Sequence, residues 1–302
     1  MARNLKYQFL NAINQNFKEK MDKHSIKADG KMNGTRIFSY SDRKNLIDVS
    51  CNLANYLSDN NPEIKFVKDI KAHHIQGFLN KKSKTCSQAT IKQYATKFDK
   101  LEKIVNSTYN ANAKYKGFAV PLTKENTKIR NMSMSREDFL KLEKGFSDSK
   151  SCAKEAIQLS SRAGLRVSEI TKLQGRDINI SKGVINVVDS KGGRDREVPI
   201  RPQDKDYFID LKSKYNDYER ICPVKSDSIN KAIERELEKQ GLKEKYTNTS
   251  IHSIRKLYAQ EEFDRLRKEG LEIKQALGEV SVLLGHSDNR FELMKEYILD
   301  IK

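Results

Sequence analysis

Asp177-Ile-Asn-Ile-Ser-Lys-Gly-Val-Ile-Asn-Val-Val-Asp-Ser-Lys-Gly-Gly-Arg-Asp-Arg-Glu-Val-Pro-Ile200 is the stretch of this chain that reads as strand. Valine and isoleucine alternate with polar residues over 177–180, 183–189 and 196–200, the period of strands with one buried face. Ser181-Lys-Gly183 and Lys191-Gly-Gly-Arg-Asp195 separate these runs and carry the residue types of tight turns. A small antiparallel sheet is expected there. Everything around it has helical spacing, so the fold class is mainly α with a small antiparallel β-sheet.

Downstream, helical patterns cover 205–214, 226–240, 251–268 and 272–284, and a last one follows Asp288. Upstream, Ser135 with Asp138 starts a helix carrying Phe139, Leu142 and Phe146, and Ala153, Ala156 and Ile157 belong to a second. Gly164-Leu-Arg-Val-Ser-Glu-Ile170 opens a short third helix. Nearer the N-terminus, Leu5, Phe9, Ile13 and Phe17 fall on one helical face. Ser39 with Asp42 caps a helix carrying Leu46, Val49, Leu53 and Leu57, which Asn60-Asn-Pro62 stops. A short helix is expected over 70–79 and a long amphipathic one from Ser87 through Val105. His73 and His74 are adjacent on the former and should point different ways, which argues against a joint metal site.

The 302 residues carry a net charge of +17, which points to a polyanionic partner, with nucleic acid first. Residues 1–130 hold 25 Lys+Arg against 11 Asp+Glu, and residues 131–302 hold 33 against 30. That asymmetry, with a polar stretch at 106–130 containing Pro121, places a linker there. The expected domains are a basic helical DNA-binding one over 1–120 and a second over 131–302. Lys81, Lys82 and Lys84, with Lys92, Lys97, Lys100 and Lys103, could line a DNA backbone, contacts that position a duplex without reading it. Cys51, Cys86, Cys152 and Cys222 have no metal-ligand spacing and fit a reduced, cytoplasmic protein. No apolar run reaches membrane-spanning length and no signal peptide is evident.

Six further residues stand out together: Arg166, Lys191, the i, i+3 pair His252 and Arg255, His286 in Leu-Leu-Gly-His, and Tyr297. Each has an ordinary explanation as a cap, a hairpin lysine, a surface arginine or a packed tyrosine. Their order, carried by Ala-Gly-Leu-Arg-Val-Ser-Glu-Ile, Lys-Gly-Gly-Arg-Asp-Arg-Glu-Val-Pro-Ile, His-Ser-Ile-Arg-Lys-Leu-Tyr-Ala-Gln and Leu-Leu-Gly-His, strongly resembles the tyrosine recombinase (phage integrase) family, in particular a bacterial integrase subgroup. The resemblance covers nearly the whole chain, with residues 40–105 similar to the family's helical core-binding domain and 131–302 to its catalytic domain.

The resemblance implies a site-specific recombinase that cuts and rejoins double-stranded DNA through a 3′-phosphotyrosyl bond, without metal, ATP or other cofactor. Tyr297 would be the nucleophile. Arg166 and Arg255 would clamp the phosphate, because a guanidinium fork matches two phosphate oxygens and stays charged. Lys191 would protonate the leaving 5′-oxygen, His252 would assist proton transfer at the tyrosine, and His286 would hydrogen-bond the phosphate. Glu169, one turn beyond Arg166, would orient it. A homotetramer on two DNA sites is implied as well. Two other readings stay open: a type IB topoisomerase-like enzyme and an inactive DNA-binding relative. One departure bears on the second: the step from His286 to Tyr297 is two residues longer than the family leads one to expect. Two residues turn a helix by roughly 200°, so the turn at 287–290 must absorb them if Tyr297 is to face the clamp.

Overall fold

Contacts divide the chain into two units, Met1–Thr127 and Lys128–Lys302, each with its own core. The computed structural model describes residues 4–18, 34–123, 132–188, 195–246 and 250–301.

The first unit is helical. Helix α1 (Leu5–Gln15), α2 (Tyr40–Asn60), α3 (Ala72–Ser83) and α4 (Gln88–Tyr109) bury Phe9, Ile13, Leu46, Leu53, Leu57, Phe78, Phe98 and Leu101 against one another. The starts of α2 and α4 follow from their serines. The hydroxyls of Ser39 and Ser87 accept from the backbone N–H groups of Asp42 and Thr90, which would otherwise lack partners. Helix α4 ends at Asn110 in the left-handed conformation (φ 46°).

The stretch after α4 differs from the expectation of a linker beginning at residue 106. Residues 110–118 fold back on the first unit: Tyr115 is buried, donates from Oη to the carbonyl of Val67, and donates its backbone N–H to the Glu102 carboxylate. Composition suggested a linker because the stretch is polar. One fully buried aromatic anchors it, together with the bonds of Asn106 to Ala113 and of Glu102 to the N–H groups of Tyr115 and Lys116.

The second unit holds α5 (Arg136–Gly145), α6 (Ala153–Ala163), the single turn α7 (Val167–Ile170), strands β1 (Ile178–Asn179), β2 (Val184–Val187) and β3 (Arg196–Pro199), then α8 (Lys205–Ser213), α9 (Ser226–Lys239), α10 (Ser250–Lys268), α11 (Ile273–Leu283) and α12 (Phe291–Tyr297). The strands form an antiparallel sheet in the order β1-β2-β3, with Ile178 opposite Ile185 and Ile185 opposite Val198. These inward isoleucines and valines join the main core of α5, α6, α8, α9 and the start of α10. The second half of α10 packs instead with α11 and α12 in a separate cluster around Tyr258, Phe263, Val280 and Met294. That smaller cluster ends on Tyr297 and Ile298. Among the described residues, no helix is long and apolar enough to cross a membrane.

Candidate active site

Two left-handed glycines open the site. Gly164 (φ 58°) terminates α6, and a Cβ there would lie 2.4 Å from Tyr258 Cδ1, so both its backbone and its bareness are needed. Gly285 (φ 72°) follows α11, and a Cβ there would lie 2.8 Å from Arg196 Nη1. The two helix ends present carbonyls that the helices leave unsatisfied, and arginines fill them. Arg255, from α10, donates to the carbonyls of Gly164 and Leu284. Arg196, from β3, donates from Nε to the carbonyl of Leu283 at 3.0 Å.

Arg166 is the extended residue before α7, and Glu169, three residues on, turns back to accept its backbone N–H at 2.9 Å. The same carboxylate accepts Arg166 Nη1 at 2.8 Å and both terminal nitrogens of Arg196 at 3.0 Å, and Arg255 Nη1 lies 3.9 Å from it. Glu169 is therefore the buried hub of three arginines.

His286 stands beside this hub, with its Nε2 3.0 Å from Arg166 Nη2. A guanidinium can only donate, so Nε2 accepts and the ring carries its proton on Nδ1. Burial, then the charges of Arg166, Arg255, Arg290 and Arg196, hold the imidazole down at about 4, so it is neutral near pH 7. Burial and the like charge of Arg166 hold Arg255 at about 10, against the opposing influence of Tyr297 and Glu169. Arg255 Nε is buried and donates to nothing among the described residues.

Tyr297, the last residue of α12, meets this cluster from the other side. Its ring centroid lies 5.2 Å from that of His252, 6.0 Å from that of His286, and 5.8 Å from Arg255 Cζ. The turn at 287–290 absorbs the longer step: Ser281 Oγ donates to the carbonyl of Ser287 at 2.6 Å, Arg290 N to that of Ser287 at 3.3 Å, and α12 restarts at Phe291. Beyond Tyr297 the chain is clasped by Gln260, which accepts from the N–H groups of Leu299 and Asp300 and donates to the carbonyl of Asp300.

Arg166, His252, Arg255, His286 and Tyr297 are thus brought together. Lys191 lies outside the described residues. The sequence pattern does not single out Arg196, although its place on the same face of β3 as buried Val198 was a signal: an inward arginine needs a partner. Gln260 had no such signal.

In the first unit, Lys81, Lys84 and Lys92 are exposed, and Lys82 lies over the Phe78 ring. Lys81 and Lys82 belong to the last turn of α3, which runs past the expected end at residue 79. Lys97 and Lys100 both pair with Asp42 and tie α4 to α2, so they are not free for a DNA backbone as expected. A cleft of about 860 Å³ on the same unit is lined by Lys68, Lys71, Lys114 and Lys116, brought together by the bridge between Lys71 and Lys114. The expectation about the two histidines also needs correcting: the Nε2 atoms of His73 and His74 lie 3.1 Å apart. His74 Nδ1 accepts the N–H of Lys71 at the helix start, which swings its ring over its neighbour. Among the described residues, no group of three or more His, Cys, Asp or Glu could hold a metal ion.

A family model described as "Phage integrase family" matches residues 138–297. The chain is 30% identical over 137 residues to tyrosine recombinase XerA of Pyrococcus furiosus, covering 41% of this chain and 42% of that relative, so the match spans under half the relative's length. Among solved structures, a lambda integrase tetramer bound to a Holliday junction matches with a TM-score of 0.62 at 18% identity, covering 91% of this chain and 77% of that one. A post-cleavage complex of XerH site-specific recombinase bound to a palindromic difH substrate matches with a TM-score of 0.64 at 14% identity, covering 97% and 90%. At these identities the structural matches speak to the fold.

Proposed function

The chain belongs to the phage integrase family, and from that premise we propose that it is a site-specific DNA recombinase working through a 3′-phosphotyrosyl intermediate. The observation that carries the reading is the convergence of Tyr297 on His252, Arg255 and His286, with Arg166 held against His286.

In the proposed step, the Tyr297 hydroxyl oxygen attacks the scissile phosphorus and the bond to the 5′-oxygen breaks. His252 accepts the phenolic proton. Arg166 and Arg255 bind the non-bridging oxygens, where negative charge moves in the transition state. Arg255 offers its unpartnered Nε to that anion, since its other nitrogens serve backbone carbonyls. His286 is the proposed donor to the phosphate through its Nδ1–H, or through Nε2 once Arg166 leaves that atom and a proton takes its place. Lys191 is the proposed acid for the leaving oxygen. Attack by another 5′-hydroxyl reverses the step, so the phosphotyrosyl bond conserves the energy of the broken one and no ATP is consumed.

The proposed partner is duplex DNA, bound by the basic first unit and the site above, with Lys81, Lys82, Lys84 and Lys92 as phosphate contacts. The likeness to a tetramer on a Holliday junction supports assembly as a homotetramer on two sites. The test is covalent capture from a library of nicked duplexes. The wild-type chain should leave a protein–DNA band on a denaturing gel, and Tyr297→Phe should bind DNA and leave none. Joining of strands between two captured duplexes would mark a recombinase, and relaxation of a supercoiled plasmid carrying the captured sequence, without such joining, would mark a topoisomerase. A persistent band with Tyr297→Phe would remove Tyr297 from its role, and no band from the wild type would leave a DNA-binding relative.

A further inference from the structure

We propose that Arg196 is a positioning residue for strand cleavage, setting Arg166 and His286 through Glu169 and the end of α11 while touching no DNA itself. The inference rests on the recombinase reading above.

All three of its guanidinium nitrogens are committed inside the protein. Nη1 and Nη2 donate in parallel to the two oxygens of Glu169, each at 3.0 Å, and Nε donates to the carbonyl of Leu283 at 3.0 Å. Its side chain is 9% exposed. An arginine spent in this way has no guanidinium nitrogen left without a partner, whereas Arg255 keeps its Nε.

Its contacts close a ring. The bidentate pair fixes the rotation of the Glu169 carboxylate, and that carboxylate fixes Arg166 through both its side chain and its backbone N–H. Arg166 then meets His286 Nε2. From the other direction, Arg196 holds Leu283, two residues before Gly285, and its guanidinium lies where a Gly285 side chain would be. Arg196 thus holds the chain three residues before His286, and reaches the His286 ring through Glu169 and Arg166. A lysine could not do the same, because one ammonium cannot span both carboxylate oxygens and the carbonyl. Position also matters: Arg196 begins β3, five residues after Lys191 in the chain.

The test compares Arg196→Met and Arg196→Lys with the parent on a captured nicked duplex, separating affinity, the single-turnover rate constant, and the fraction of active protein read from the burst amplitude. The expected result is unchanged affinity with a rate constant lower by roughly 10- to 100-fold in both variants, the scale of a small misplacement of catalytic groups. A merely structural role would lower the burst amplitude and leave the rate constant alone. A second readout needs no DNA. The His286 ring should titrate near 4 in the parent and move toward 6.5 in Arg196→Lys, where charge is kept but the ring of contacts is opened. Full activity in either variant, affinity falling in step with rate, or an unmoved His286 titration would overturn the inference. If Arg196→Met does not fold, the lysine variant decides. A parent that forms no adduct counts against the recombinase reading instead, and the His286 titration then still judges Arg196.

Discussion

Replacing Glu169 with glutamine should destabilise the second unit far more than its isosteric shape suggests. The carboxylate is 4% exposed and each of its oxygens accepts two N–H groups, Oε1 from Arg166 Nη1 and Arg196 Nη1, Oε2 from Arg166 N and Arg196 Nη2. An amide keeps one oxygen. Whichever way it turns, its NH2 faces two donors, so two charge-assisted bonds are lost and four N–H groups crowd together. The electrostatics run the same way: three guanidinium groups around one carboxylate carry a net +2, which becomes +3 with Arg255 Nη1 only 3.9 Å from Oε2. At 4 Å and an effective dielectric constant of 20, one pair interaction is about 4 kcal/mol. Breaking a buried pair by removing one partner costs about 3–5 kcal/mol.

For a unit of this size, where 1 kcal/mol moves the melting temperature by about 2–4 °C, the expected drop is roughly 6–20 °C. Scanning calorimetry at pH 7 and low salt, with urea denaturation beside it, measures this. A fall of only a degree or two would mean that the three arginines do not depend on Glu169 for neutralisation, and the account of the hub would be wrong. Cleavage should fall together with stability, because Arg166 loses the group that aims it. DNA affinity should hold or rise, since the site becomes more positive.

The same contacts set three other expectations. His286 is held below its ordinary value, so the unfolded chain binds its proton first as pH falls from 6.5 to 4; its contribution to stability is complete above 6.5 and lost through that window, and ring NMR should give a midpoint near 4 rather than near 6.5. Burial pushes Asp138 up, but hydrogen bonds from Lys245, Tyr246 and Ser135 outweigh it and bring the carboxyl to about 2 from 3.8. Its stabilisation is therefore present above 3.8 and lost as pH falls toward 2, and Asp138→Asn should cost about 2 kcal/mol at pH 7 and flatten the acid limb of a stability profile. Gly164→Ala should cost about 2–4 kcal/mol by urea denaturation, since a Cβ meets Tyr258 and the backbone is left-handed; a neutral result would show that Tyr258 can move aside.

The parts of this fold legible in the sequence are those fixed by neighbours along the chain. Ser39, Ser87 and Ser135 each cap the helix that their spacing announced, because a serine hydroxyl needs only an N–H two or three residues ahead. The alternation of Val and Ile placed the sheet for a similar local reason. What the sequence hid depends on residues far apart. Asp42 draws Lys97 and Lys100 away from solvent, Tyr115 returns to Val67, and Arg196 reaches Glu169 and Leu283 together. A lysine on an exposed helix stripe looks the same in a sequence whether it meets a phosphate or an aspartate across a helix pair.

The step from His286 to Tyr297 shows why such a site tolerates a change in length that periodicity alone forbids. If α11 and α12 were one continuous helix, two extra residues would rotate Tyr297 by roughly 200° and take it off the site. They are not continuous. Gly285 breaks the first helix, Ser281 holds the carbonyl of Ser287 against it, and α12 starts afresh at Phe291 with its own packing through Met294. The register of Tyr297 is therefore counted from the Met294 and Ile298 contacts and from the Gln260 clasp on Leu299 and Asp300, and not from His286. Extra residues in 287–290 lengthen a turn whose two ends are each pinned. The orientation of the tyrosine is set by the packing of α12 and the clasp at its end, which is why its ring still faces His252, His286 and Arg255.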